Sequence, residues 1–293
     1  MLVSSSKLSI SRRNFLAAGA CAAGGLALYS GEIARHRIDV SSSNVFLAGL
    51  PRAFDGFRIA QISDIHMDEF TEPFFVREVV HRVNSLNPDA VFITGDFVTC
   101  EFAPIKFAIG AAWQCAGLLD RLTCRQRYAV LGNHDLMIDP KQVSEALAAH
   151  GITVLRNSHV PLERATGRIW LAGLDDPVQG LPLPEVAIPE SLRNLPHEPI
   201  VLMCHAPDYA DLLLLHPSGS SVALMLCGHT HGGQIRLPWI GPLALPTMGR
   251  KYVEGWFRLG RLQLHVNRGI GSVGVPFRLN CPPEISLLTL RSG

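Results

Sequence analysis

Gly228-His229-Thr230-His231 is the stretch on which the reading of this chain turns, together with four shorter ones upstream: Asp64-Ile65-His66, Gly95-Asp96, Gly132-Asn133-His134-Asp135 and His205. Taken in chain order, each of the five follows an apolar, largely β-branched run: Phe57 to Ile62, Ala90 to Thr94, Tyr128 to Leu131, Ile200 to Met203 and Val222 to Leu226. Such runs read as buried strands, so each polar stretch is expected at the carboxyl end of a strand. Loops leaving one edge of a sheet converge in space, and the crevice outside carboxyl strand ends is where open α/β sheets bind ligands. The five stretches are therefore read together as one metal site.

The donor chemistry agrees. The stretches offer two Asp, one Asn and four His, namely Asp64, Asp96, Asn133, His66, His205, His229 and His231, with His134 left over. Carboxylate oxygens mixed with neutral imidazoles suit Zn, Mn, Fe or Ni, whereas calcium takes almost only oxygen. Seven donors are too many for one tetrahedral ion and suit two ions of higher coordination that share a carboxylate. Two metals ~3.5–4 Å apart are a common device for in-line displacement at phosphorus. Alone, each stretch has a plainer meaning. An Asp after a strand caps a helix, Gly-Asn tolerates the positive φ of a turn, and Gly-His-Thr-His fits a surface loop. All five in this order, each behind a strand, point to chemistry.

The order Asp-x-His, Gly-Asp, Gly-Asn-His-Asp, His, Gly-His-x-His resembles the calcineurin-like metallophosphoesterase superfamily from about Phe57 to the C-terminus. The run Gly-His-Thr-His-Gly-Gly-Gln-Ile-Arg-Leu-Pro from Gly228 to Pro238 is similar to its exported bacterial phosphodiesterase branch. So is the tail from Asn267-Arg268-Gly269-Ile270-Gly271 through Cys281-Pro282-Pro283-Glu284-Ile285. That branch includes enzymes similar to UDP-2,3-diacylglucosamine pyrophosphatase. The resemblance implies two divalent metal ions, with Asp64, His66, Asp96 and His231 on the first and Asp96, Asn133, His205 and His229 on the second. Asp96 would be the bridge. It implies an α/β fold of two facing mixed β-sheets flanked by helices, in four layers. It implies hydrolysis of a phosphoester, a phosphodiester or pyrophosphate bond with a lipid-linked UDP-sugar among the substrates, by water attacking in line at phosphorus. The alternatives are a phosphomonoesterase and a non-catalytic metal-binding module on the same fold.

His134 is not needed as a ligand. It directly follows Asn133, so its ring can reach the space between metals and substrate, to stabilise phosphoryl oxygens or protonate the leaving oxygen. Asp135 either orients that ring or caps the following turn. Asn133 and His134 are also candidates for contacting substrate, and Arg236 and Arg268 for holding its phosphate. Leu237 to Pro246 is apolar, proline-broken and uncharged. It reads either as a packed, buried loop or as a membrane-facing lip that could wall an acyl chain.

The chain has 293 residues, 47% hydrophobic and 17% charged, enough for one large core. A formal charge of +1 and the absence of a basic run argue against nucleic acid as a partner. Residues 1–36 differ from the rest. Ser9-Ile10-Ser11-Arg12-Arg13-Asn14-Phe15-Leu16 is a twin-arginine pattern, followed by an uncharged stretch from Phe15 to Tyr29. Residues 1–36 are therefore read as a twin-arginine-type export signal and 37–293 as the metallophosphoesterase domain. The partners expected are a phosphoester substrate and the twin-arginine export machinery, which carries proteins already folded. The expected location is outside the cytoplasmic membrane, in the periplasm or cell envelope, with peripheral membrane contact as an option. The stretch of fifteen residues from Phe15 to Tyr29 is short of the ~20 that span a bilayer. A Sec-type signal or a short membrane-lying helix is the alternative, and Ala27-Leu28-Tyr29-Ser30-Gly31 offers no clean small-x-small cleavage site.

Cys204 and Cys227 fall inside predicted strands and read as small core hydrophobes. Helices are expected after Pro73, over Ile105 to Leu119, after Asp139-Pro140 and over Pro207 to Leu215, with parallel strand pairing in the first half. Trp256 to Val266 reads as a hairpin about Gly260. Asp176 to Pro199 reads as a proline-rich surface excursion, and His81, His150, His159, His197, His216 and His265 as plain positions without partners.

Overall fold

Each of the five apolar runs is a strand, and the strands divide between two sheets. The structure is a computed structural model that describes residues 11–67, 70–100, 104–193, 195 and 197–293; Ser9 and Ile10 of the twin-arginine stretch lie outside the described residues. The first sheet contains β1 (Asp39–Leu47), β2 (Arg58–Ile62), β3 (Ala90–Ile93), β4 (Arg127–Ala129), β5 (Thr153–Val154) and the last strand, β14 (Glu284–Ser292). Their order is β1-β14-β2-β3-β4-β5. The pairs from β2 to β5 are parallel, as helical crossovers require, while β14 runs antiparallel to β2 and parallel to β1. The second sheet has the order β12-β13-β9-β8-β7-β6, built from β6 (Ser158–Arg164), β7 (Gly167–Gly173), β8 (Ile200–Met203), β9 (Val222–Cys227), β12 (Gly255–Leu259) and β13 (Leu262–Val266). Between β9 and β12 a separate hairpin pairs β10 (Arg236–Leu237) with β11 (Gly241–Pro242).

The sheets face each other across a core that includes Phe57, Phe92, Leu171, Met203, Leu226 and Leu290, all 0–1% exposed. Burial of side chains of this size is worth roughly 1.5–3 kcal/mol each, so this layer contributes strongly to cohesion. A buried polar bridge crosses it. Gln61 of β2 donates from Nε2 to the carbonyl of Cys227 (2.9 Å), and its Oε1 accepts from Nδ1 of His265 in β13 (2.8 Å). His265 therefore has a buried partner, contrary to its reading as a plain position.

Helices cover both outer faces. α1 (Arg12–Leu28) precedes the domain, and α2 (Pro73–Ser85), α3 (Ile105–Leu119), α4 (Asn133–Ile138) and α5 (Pro140–Ala149) lie over the first sheet. Pro73 opens α2 at its first turn, and Val76, Val79, Val80 and Val83 form its buried stripe. Asp139 caps α5 by accepting from the amides of Lys141 (3.0 Å) and Gln142 (3.1 Å). The second sheet is covered by α6 (Pro184–Ala187), α7 (Glu190–Arg193) and α8 (Tyr209–Leu215). The proline-rich segment is thus more than a surface excursion. Its prolines start short helical turns that bury Ala187 and Ile188 completely.

At the N-terminus the helical path does not stop with the apolar stretch. It continues to His36, 25 residues in all, long and apolar enough by length and composition to cross a membrane. No residue of α1 is buried, whereas Ser30, Gly31 and Ala34 are. Arg35 forms an ion pair with Glu72, and His36 Nε2 lies 3.1 Å from the same carboxylate.

Candidate metal centre

The turns after β2, β3, β4, β8 and β9 meet at one edge shared by both sheets. Asp64, His66, Asp96, His229 and His231 all adopt left-handed backbone, with φ of 50°, 46°, 56°, 72° and 50°. Non-glycine residues rarely occupy this region, and clusters of such strain persist where surrounding bonds over-determine them. Here the bonds are visible. Asp64 N donates to Gly95 O (2.9 Å) and His66 N to Asp96 O (3.1 Å). The amide of His229 donates to both oxygens of Asp64, at 3.0 and 2.9 Å. Glycines allow the turns to press together: a Cβ on Gly132 would overlap the Asp96 carboxylate, and one on Gly228 that of Asp64.

Three sets of donor atoms each lie within 4.8 Å of one another: Asp64, His66 and His231; Asp96, His205 and His229; and His66, Asp96 and His134. The first two are drawn from the two groups that the resemblance implied. Asn133 lies in the same cleft as Asp96, His229 and His231. Its Oδ1 is buried without a hydrogen-bond partner, as is Nε2 of His205, which is 3.1 Å from Asp96 Oδ2 but out of hydrogen-bonding alignment. Buried orphans of this kind carry a desolvation cost that a cation would relieve, so these residues fit metal binding. Ring orientations fit too. His205 Nδ1 is 2.6 Å from Thr94 O, His229 Nε2 is 2.7 Å from Thr247 O and His66 Nδ1 is 3.0 Å from Thr99 Oγ1. In each ring one nitrogen is held by the protein and the other is left for a ligand bond.

Electrostatics keeps most of the rings neutral. Burial pushes His66 down to about 3 and His229 down to about 4, and holds His231 well below the usual imidazole range. Burial opposes the charged form of His205 as well, but the carboxylates of Asp96, Asp64 and Asp176 outweigh it and raise this ring well above the usual value. Burial likewise works against an ionised Asp96, yet His205 and His134 hold that carboxyl well below the carboxylate range. Burial pushes Asp64 up to about 6.

Around the donors, the expected residues separate. His134 lines the cleft, half-buried, edge-on to His66 with ring centroids 5.0 Å apart; its Nδ1 accepts from the amide of Cys100 (3.1 Å). Asp135 makes no hydrogen bond to that ring. Its carboxylate accepts from the amides of Asp96, Gly132 and Phe97, each at 2.9 Å, so it caps α4 and clamps the Asp96 turn. The structure does not bring Arg236 or Arg268 into the cleft. Arg236 is paired with Glu254, and Arg268 with Asp39 (2.7 Å) and Glu284 (3.2 Å). The cation closest to the donors is one the sequence reading did not single out, Arg278. It is completely buried, and its guanidinium lies 3.2 Å from His231 Nδ1 while donating to the carbonyls of Arg268 and Cys281 (3.0 and 3.1 Å). Asp176 was also passed over. It is buried close enough to His205 and Asp96 to interact with their charges, and it follows β7 as the ligands follow their strands.

The cleft encloses about 500 Å³. Opposite the donors its wall is apolar, made by Ile235, Leu243, Leu245, Pro246, Val273 and Val275. The Leu237–Pro246 stretch is not a buried loop: Trp239 is 103% exposed and Ile240 72%, at the tip of the β10–β11 hairpin. Cys204 and Cys227 are buried core positions with free thiols, as are Cys115 and Cys281.

Residues 57–233 match the family model described as calcineurin-like phosphoesterase. The chain is 34% identical to the uncharacterized metallophosphoesterase YkuE of Bacillus subtilis, over 97% of this chain and 98% of that one. It is 30% identical to phosphodiesterase YaeI of Escherichia coli, over 96% and 99%. It is 26% identical to the UDP-2,3-diacylglucosamine pyrophosphatase LpxG of Chlamydia muridarum, over 82% and 86%. A family match across more than half the chain, near full-length likeness to two relatives, and a carboxylate–imidazole cluster suited to two divalent ions agree: this chain belongs to the calcineurin-like metallophosphoesterases and is a hydrolase of phosphoester bonds.

Proposed function

We propose that the chain hydrolyses phosphodiester bonds, P–O–P linkages included, in a substrate that carries an apolar chain, and that it acts outside the cytoplasmic membrane after twin-arginine export. One observation carries this reading: the donors and the apolar wall of Ile235, Leu243, Leu245 and Val275 face the same cleft. The relatives named phosphodiesterase and UDP-2,3-diacylglucosamine pyrophosphatase support it. So does charge, because no Lys or Arg lines the cleft among the described residues. A phosphomonoester brings a dianion, whereas a diester phosphorus carries one negative charge and needs less compensation.

Asp64, His66, Asp96 and His231 would hold one ion, and Asp96, Asn133, His205 and His229 the other, with Asp96 shared. When bound, the pair supplies Lewis acidity and a water nucleophile at neutral pH. The chain's own residues do the rest. The carbonyls of Thr94 and Thr247 orient His205 and His229, and the amide of His229 pins Asp64. Because His134 Nδ1 accepts from Cys100 N, its neutral ring carries the proton on Nε2, the nitrogen free to donate to a phosphoryl or leaving oxygen.

Metal-reconstituted protein assayed on bis-p-nitrophenyl phosphate, p-nitrophenyl phosphate and a lipid-linked pyrophosphate tests the reading. The diester should be turned over faster than the monoester, and the lipid-linked substrate should show the highest kcat/KM. A monoester turned over tenfold faster than the diester would overturn it.

A further inference from the structure

We infer that α1 stays on the working enzyme as a membrane anchor, and that α1 and the Trp239–Ile240 tip together hold the mouth of the metal cleft against the bilayer. The end of the helix is built into the catalytic domain. Ser30 O accepts from the amide of Arg278 (3.1 Å), and Gly31 packs so closely on Phe277 that an added Cβ would sit 3.0 Å from its ring. Four residues on, Arg35 pairs with Glu72. Removal of residues 1–36 would strip Glu72 of its side-chain partners Arg35 and His36 and uncover Phe277. The rest of the helix is the opposite case. No residue of α1 is buried, and Phe15, Leu16 and Leu28 are 68–69% exposed. Its 17 residues at ~1.5 Å each span about 25 Å, at the short end of what crosses a ~30 Å hydrocarbon layer.

The second contact is independent of the first and lies beside it. An apolar space of about 250 Å³ separates Ala23, Leu26 and Ala27 of α1 from Ile235, Phe277 and Leu279. Ile235 also lines the metal cleft, and the hairpin that carries Trp239 and Ile240 begins at the next residue. Helix base, hairpin and cleft mouth therefore share one side of the domain. Trp239 holds left-handed backbone (φ 64°), a cost for a bulky residue, yet no domain packing covers its ring. Trp is favoured at the membrane–water interface, where one part of the ring is apolar and its N–H stays wet. A lipid bilayer is the occupant that accepts both a helix of spanning length and an aromatic tip next to it. Only the benefit to catalysis rests on the proposed lipid-linked substrate: such a molecule could reach the donors without leaving the membrane surface.

The full chain, isolated from the cells that make it, tests this by three measurements. The membrane fraction should hold the protein after carbonate extraction, and its mass should include residues 12–36. Release by carbonate, or a mature chain starting beyond residue 36, overturns the anchor. In vesicles of brominated phosphatidylcholine, tryptophan fluorescence should be quenched, and the quenching should largely vanish in Trp239→Phe. Equal quenching in both proteins overturns docking of the tip. Finally, Trp239→Ser with Ile240→Ser should lower the rate on a vesicle-borne diester roughly tenfold or more, as loss of two buried apolar side chains predicts, and leave hydrolysis of soluble bis-p-nitrophenyl phosphate unchanged. Equal rates of the two proteins on the vesicle-borne diester also overturn docking. The soluble ester separates the two ideas: an inactive wild type there sinks the hydrolase reading, while extraction and quenching judge the anchor by themselves.

Discussion

One wall of the cleft is made by the turns that follow β2, β3, β4, β8 and β9; the other by Ile235 and residues 243–246, which flank the β10–β11 hairpin, and by residues 273–275. On the first, most candidate ligand side chains are buried, five of these positions are strained into left-handed backbone, and carbonyls and a threonine hydroxyl orient the rings. On the second, the surface offered to the cleft is apolar, and the hairpin tip lies in the open. The contrast follows from what each wall must do. Phosphoryl chemistry tolerates little displacement of its donors, so positions there are over-determined. Apolar contact with a chain-bearing substrate needs area more than angle.

If that division is right, damage should differ in kind between the walls. Asp96→Ala should have the largest effect: hydrolysis falls to that of the metal-free protein and both ions are lost. Metal analysis showing two ions retained per chain would reject Asp96 as the bridge. Next comes His134→Ala, which should keep its metals while kcat drops roughly 10²–10⁴, the range for a positioned proton donor or charge stabiliser. The drop should be greater on alkyl diesters than on p-nitrophenyl esters. A lost ion in this variant would instead make His134 a ligand, in line with its closeness to His66 and Asp96.

Asp135→Ala separates structure from chemistry on the same turn. It leaves the amides of Asp96, Gly132 and Phe97 without acceptors, which should cost about 3 kcal/mol or more in urea unfolding. The kcat of the metal-loaded, folded fraction should fall far less than for His134→Ala. A pH effect of similar or smaller size should come from His265, whose ring burial lowers from 6.5 to about 4. Below pH 6.5 the unfolded chain binds a proton that the folded chain refuses until about pH 4. Stability should therefore fall as pH falls through this window, by at most about 3 kcal/mol, and level off below it. His265→Gln keeps a donor to Gln61 and should flatten that slope, measured as denaturant midpoint against pH. The smallest effect is expected from Arg236→Ala. A partly exposed ion pair is worth under ~1 kcal/mol, and with Arg236 outside the cleft the KM for a diester should stay within about twofold. A tenfold rise in KM would return Arg236 to the substrate.

The first wall was largely legible in the sequence because each ligand stretch sits within a few residues of an apolar run, and strand ends are local signals. Asp176 carried the same signal behind β7 and was passed over because it opens the stretch to Pro199 that reads as a proline-rich surface excursion. Other features have no local trace. The pairing of β14 between β1 and β2 joins residues more than 220 apart in the chain, such as Ser286 with Gln61. Arg236 and Arg268 stand next to motif residues, but only three-dimensional packing shows that Glu254, Asp39 and Glu284 already neutralise them, or that Arg278 is the cation behind His231. The apolar lip was ambiguous because Leu237 to Pro246 has the same composition whether it is packed or open.

Gln61 has a consequence beyond its two hydrogen bonds to the second sheet. Each of the two proposed coordination groups takes members from both sheets: Asp64 and His66 with His231, and Asp96 with His205 and His229. A slip of one sheet over the other by a single residue is a movement of ~3.3 Å, whereas a metal–ligand bond accepts ~0.2 Å. Gln61, tied to Cys227 and His265 inside the interface, acts together with the His229–Asp64 bonds as an alignment key between two halves that hydrophobic contact alone would let creep. Ions shared between the halves would hold them further, so metal loading would be coupled to the last step of folding, and a chain sent across a membrane already folded would carry its cofactor with it.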